Sequence, residues 1–246
     1  MTEMEQEIIS FFEKYIDDFL GDMGVGGHAN HPDFELLPRD FVEFAERDLK
    51  AGSSTHSLVN ATANLKRAVD CQLDYLLVAL NLDKLYREKR LGVDRKLGFL
   101  KRAGIFRSRS IEKLNTFRNR LEHHYEIPKI EDVEVYFDLV AAFVSVAEAV
   151  IPAFSHSASL GMQIHGGGYV GTKFTYEGPK LELSLRHDAT NYDQVFQVDL
   201  SESMNVIDKL ESFAFLLRVH LLFRKYDESA IGPRHFLSSL RGDTQI

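Results

Sequence analysis

Apolar residues recur at three- and four-residue intervals through most of the first 155 positions, the period of an amphipathic helix. Ile8, Ile9, Phe12, Tyr15, Ile16, Phe19 and Leu20 make the first stripe, over residues 4–20. Glycines 21, 24, 26 and 27 with Pro32 and Pro38 then mark a loop. Asp40 is expected to cap a helix running to about Ala51 and stopped at Gly52, with Phe41, Phe44, Ala45 and Leu49 inward. Ser53 to Thr55 offer the next cap. The longest helical pattern follows, to about Leu82, with Leu58, Leu65, Leu73, Leu76, Leu77 and Leu80 on its core face. A basic segment, Lys84 to Arg109, is interrupted by Gly92 and Gly98 and predicts a short helix at 94–103. Residues 109–125 align Leu114, Phe117 and Leu121, and Pro128 ends that helix by forcing Ile127 out of helical geometry. Asp132 to Phe154 is apolar nearly all round. That pattern predicts burial on more than one side, as a bundle centre or a dimer seam.

The period changes after residue 157. Leu181, Leu183 and Leu185 alternate with Glu182, Ser184 and Arg186, as in a half-buried strand. The Glu177-Gly178-Pro179 turn joins this strand to Tyr169–Tyr176, and Asn191 to Asp193 turns into Gln194–Leu200. Three or four antiparallel strands are expected. A C-terminal helix over about 203–226 carries Val206, Ile207, Leu210, Phe213, Leu216, Leu217 and Leu221 on its apolar side, and the tail beyond Asp227 reads as irregular. The fold class is therefore mainly α with a smaller α+β part. Residues 1–38 form an N-terminal helix and loop, 39–156 a helical bundle, and 157–246 a small antiparallel sheet plus a C-terminal helix.

Composition narrows the chemistry. With 44% hydrophobic residues the 246-residue chain can build a sizeable core. One cysteine, Cys71, rules out an intrachain disulfide or a thiolate zinc site and fits a reducing, cytoplasmic compartment. It lies in an apolar helical stretch and reads as a core filler. The sequence has no run of 18 apolar residues, and Glu3, Glu5 and Glu7 are unlike a secretory signal, so no membrane partner is expected. The net charge is −8, but residues 84–129 carry 14 Lys and Arg against 5 Asp and Glu, a local +9. That leaves −17 on the rest, the total of −8 less this +9. One face should attract a polyanion while the others repel it. The plainer reading is that basic helices pair with acidic ones inside the fold.

The basic block contains Arg118-Asn119-Arg120-Leu121-Glu122-His123-His124-Tyr125. A neutral imidazole can take the proton of a ribose 2′-hydroxyl and return one to the leaving oxygen. An arginine can hold the phosphate bidentately and offset its developing charge, and an amide can orient either group. The set suits phosphodiester cleavage without a metal or other cofactor. The same residue types at these spacings also describe a solvated, salt-bridged helix.

Arg118-Asn119, three residues and His123 resemble the Arg-polar-x(3–5)-His signature of the HEPN superfamily. With Tyr125 the string reads Arg-x4-His-x-Tyr, the form of HEPN toxins paired with nucleotidyltransferase antitoxins. The resemblance covers about residues 39–155. It implies a HEPN-like helical bundle, a homodimer whose two motifs face one cleft, and a metal-independent endoribonuclease of toxin–antitoxin or anti-phage type. Arg118 would then grip the scissile phosphate, His123 act as acid and base, and Asn119 orient one of them. His124 stands as the competing imidazole, and Asn119 sharing a helix face with His123 favours His123. Arg120, His124, Tyr125, Lys101, Arg102, Arg107 and Arg109 would contact RNA. Tyr125 is read either as helix-end packing or as the residue that a nucleotidyltransferase partner modifies. Two other readings stand beside this one: a non-catalytic HEPN module binding nucleotide, RNA or a partner protein, and a structural protein assembled through 132–154.

Two further patterns carry little. His28, His31 and Asp33 lie in a glycine-rich loop with no helix to fix them as metal ligands. Gly166 to Gly171 matches a dinucleotide-binding string, but a strand follows it where that fold needs a helix. A flexible strand-linking loop is expected there.

Overall fold

In a computed structural model, residues 29–106, 109, 113, 116, 120, 129–154, 159–163, 167–175, 178–188, 191–201 and 206–241 are described. The helix expected at 4–20 lies outside these residues, as does His28. The helices are α1 (Pro38–Lys50), α2 (Thr55–Ala79), α3 (Asp83–Glu88), α4 (Val93–Arg102) and α5 (Ile130–Val150), the last running into a 3-10 turn, Ile151–Phe154. Four strands follow: β1 (Ser159–Gln163), β2 (Gly168–Thr175), β3 (Lys180–His187) and β4 (Tyr192–Asp199). Helices α6 (Val206–Asp227) and α7 (Pro233–Arg241) close the chain. The protein is thus mostly helical, with a small antiparallel sheet and a C-terminal helix, as the periodicities indicate.

Helix boundaries follow local chemistry. Pro38 occupies the first turn of α1, where its missing N–H costs nothing. The carboxylate of Asp40 accepts the Leu37 N–H at 2.7 Å. Asp40 therefore works from inside the first turn, and the N-cap is Leu37, three residues before the expected one. Ser54 caps α2 by accepting the Ser57 N–H at 3.1 Å, at the expected place. Helix α4 ends on Gly104 at φ +69°, with the Ile105 N–H donating to the Leu100 carbonyl at 3.1 Å.

Helix α1 packs along α2, and both lie against α5. Val133, Tyr136, Val140, Phe143, Val144 and Ala147 form the buried face of α5. Its opposite side is open: Val135 is 66% exposed, and Glu131, Glu134 and Asp138 are exposed beside it. Within the chain this helix has one buried face, so it is not a bundle centre covered on both sides. By length and composition Ile130–Phe154 could cross a membrane, with a mean hydropathy of 1.8. Those exposed carboxylates are instead typical of a core helix with one solvated side.

The sheet is a meander in the order β1-β2-β3-β4, every pair antiparallel. Phe174 pairs with Leu181, which pairs with Val198; Thr172 pairs with Leu183, which pairs with Phe196. These residues share the inner face, because side chains alternate along a strand. Helix α6 covers that face and meets α4 on its other side. It is buried nearly all round, from Leu210 through Phe223. Phe99 of α4 stacks on Phe213 of α6 at 6.3 Å, and Phe154 meets Phe174 at 5.4 Å. One apolar cluster consequently runs from α1 and α2 through α6 into the sheet.

Three local expectations change. The tail beyond Asp227 contains α7, which begins at Pro233 and turns Phe236 edge-on to Tyr226 at 5.8 Å. The basic segment holds a second helix, α3. The glycine string is not a linking loop throughout, since Gly168 and Gly171 belong to β2 and only Gly167 among its described residues lies before the strand.

Candidate nucleic-acid interface

The basic block spans α3, α4 and the segment after α4. Arg109, Lys113, Thr116 and Arg120 are helical and exposed. Their spacing of four, three and four residues is that of one face of a helix. Lys101 and Arg102 are exposed in the last turn of α4. Arg107, Arg118, Asn119, His123, His124 and Tyr125 lie outside the described residues.

Part of the block is neutralised within the fold. Arg87 pairs with Asp83 at 2.7 Å, Lys84 with Glu88 at 3.9 Å, and Lys96 with Asp74 of α2. Arg102 reaches Glu211 of α6 at 3.5 Å and lies over the Phe215 ring at 5.7 Å. The plainer reading of the charge pattern accounts for these four. Arg109, Lys113 and Arg120 are exposed at the surface.

Arg218 is a cation that sequence reasoning missed, hidden among the apolar residues of α6. Its side chain packs against Gly104, where an added Cβ would stand 3.1 Å from Nε. Burial, and then repulsion from Arg102, lowers its pKa. Arg218 thus adds a second cation near Arg102, whose own carboxylate partner is Glu211. The reason it escapes notice is positional: one arginine in an amphipathic helix looks solvated until the neighbouring helix is placed.

His220 of α6 is the second residue missed, and it is structural. It is fully buried. Its Nε2–H donates to the Ala153 carbonyl at 3.2 Å, so Nδ1 accepts from the Thr172 hydroxyl at 2.9 Å. Burial depresses its pKa to about 4, which keeps it neutral. The tie joins the 3-10 turn, β2 and α6.

Other chemistry is sparse. His31 lies 2.7 Å from the Tyr75 hydroxyl. Among the described residues no group of three His, Cys, Asp or Glu could hold a metal ion. Cys71 is half-buried, and burial, with Asp74 and Asp40, pushes its thiol up to about 11. A thiol that stays protonated is a poor nucleophile. A cleft of about 130 Å³ between α4 and α6 is lined by Leu91, Phe99 and Leu210 and by Asp94, Arg95 and Glu211. It does not include Lys101, Arg102 or Arg218. No family model, curated protein or solved structure matches the chain.

Proposed function

We propose that the protein is a metal-independent endoribonuclease of HEPN type, acting as a homodimer. The observation that supports this most is the exposed helical face of Arg109, Lys113 and Arg120, within the segment that carries the Arg-x4-His-x-Tyr string. A polyanion drawn to that face is brought beside the residues able to cleave it. Arg118 holds the scissile phosphate, His123 shuttles the protons, and Asn119 orients the pair. Lys101 and Arg102, exposed in the last turn of α4, extend the phosphate track, Arg102 exchanging its Glu211 contact for a phosphate. The resemblance adds a toxin or anti-phage role with an antitoxin or nucleotidyltransferase as partner, and the single cysteine fits the cytoplasm as its compartment.

The test compares wild type with Arg118→Ala and His123→Ala on mixed single-stranded and transfer RNA in excess EDTA. Wild type should leave 2′,3′-cyclic phosphate ends and both variants should be inactive. Equal activity of all three would refute the residue roles. RNA binding without cleavage by any of them would replace the nuclease with a non-catalytic RNA-binding module.

A further inference from the structure

The outer face of the sheet, opposite α6, carries one aromatic side chain in an unusual seat. Tyr169 of β2 is 44% exposed. Gly171 is two residues along the same strand, and Gly161 of β1 pairs with Gly171, so all three share this face. A Cβ added at either glycine would stand 2.6 Å from Cζ of the Tyr169 ring. No side chain fits at that distance. The two glycines make a notch that the phenol occupies, close against the backbone of β1 and β2 while the residue stays exposed to solvent.

The surroundings are selective. Tyr169 pairs with Gln163 on one side and with Arg186 on the other. Gly171 pairs with Ser184, and Lys173 is the next residue of β2 on this face. Strands β1 and β2 together contribute one cation, Lys173, and no carboxylate. The nearby acids stand on the β3–β4 side, where Glu182 lies opposite Lys173 and Asp188 pairs with Arg186 at 2.7 Å. A flat π-face, an amide and a hydroxyl on the neighbouring strands, and a cation two positions beyond the notch match a nucleotide in a single strand. Base stacking on aromatic platforms is the usual mode for that ligand. We infer that Tyr169 is a stacking platform for a base of single-stranded RNA, with Gln163 and Ser184 toward its edge and Lys173 toward its phosphate. The ligand class rests on the proposed function; the platform rests on the sheet geometry.

The experiment uses the full chain carrying His123→Ala, so that the probe survives whether or not the nuclease reading holds. Binding of a fluorescein-labelled single-stranded oligoribonucleotide is followed by anisotropy in EDTA. Adding Tyr169→Ala should weaken Kd by about fivefold to a hundredfold, the range for removing one stacked ring. Tyr169→Phe keeps the ring and should retain the affinity. Gly171→Ala lifts the ring from its notch without removing it and should weaken binding as Tyr169→Ala does. Duplex RNA, whose bases are already stacked, should respond to none of the three. Thermal melts of each variant set the assay temperature well inside the folded range. Unchanged affinity in Tyr169→Ala, with or without a lower Tm, would overturn the inference and leave the ring a cover for two glycines. Failure of the unsubstituted Tyr169 chain to bind single-stranded RNA would overturn it as well. Absence of cleavage by wild type, with Tyr169-dependent binding intact, would sink only the nuclease.

Discussion

His220 shows how one buried polar group can tie three elements and set a pH limit. Its folded pKa of about 4 lies below the ordinary 6.5, so the fold favours the neutral ring. The stability this provides is complete above 6.5 and is lost as pH falls from 6.5 towards 4, where the folded form also takes up the proton. The gap corresponds to about 3 kcal/mol. In His220→Leu the Thr172 hydroxyl and the Ala153 carbonyl lose their partner, so that variant should be less stable at pH 7. Its denaturation free energy should nevertheless fall about 3 kcal/mol less than wild type between pH 6.5 and 4. Parallel pH profiles for the two proteins would mean that the ring is not held neutral. The sequence shows a histidine in an apolar helix. It does not show Thr172, 48 residues away, or the Ala153 carbonyl, 67 away.

At the scale of elements, α6 is the piece that both halves of the fold require. It meets α4 on one side and the sheet on the other, and Phe213 is fully buried against Phe99. Phe213→Ala should cost about 3–5 kcal/mol. Hydrogen exchange in α4 and in β3 should accelerate together, because the two share that helix. Exchange that rises in one alone would show that they unfold separately. Most helices were legible from their period and their caps: Ser54 and the stop after α4 are local effects, settled within a few residues. Helix α7 was not: the tail beyond Asp227 reads as irregular until the Tyr226 ring gives Phe236 something to pack on. Helix α5 misled in the other direction. Its near-uniform apolarity suggests burial on more than one side, yet within this chain Val135 faces outward.

At the scale of the molecule, charge is divided between fold and ligand. Lys96, Arg87, Lys84 and Arg102 have acidic partners within the fold, and Arg109, Lys113 and Arg120 are exposed. Neutralising these last three with glutamine should reduce the salt dependence of single-stranded RNA binding. The slope of log K against log salt should fall by about 0.7 for each phosphate that is no longer neutralised. Replacing Lys84, Arg87 and Lys96 in the same way should leave the slope nearly unchanged while lowering stability slightly. Equal effects of the two sets would mean that RNA attraction is a property of net charge alone.

The sequence by itself determined the long helices, the antiparallel strands and their turns, the concentration of positive charge in residues 84–129 and the candidate chemistry of the Arg118–Tyr125 string. These are local: periodicity, capping, turn residues and spacing act over a few positions. The tertiary structure alone decided which cations are spent on internal ion pairs, that Arg218 stands beside Arg102, and that His220 is locked neutral. It also decided why Gly161 and Gly171 are glycines. Their reason is the Tyr169 ring across two strands, and a string that looked like a phosphate loop is a seat for that ring. Each of these depends on which residues distant in sequence meet, and contact of that kind is set by how helices and sheet pack together.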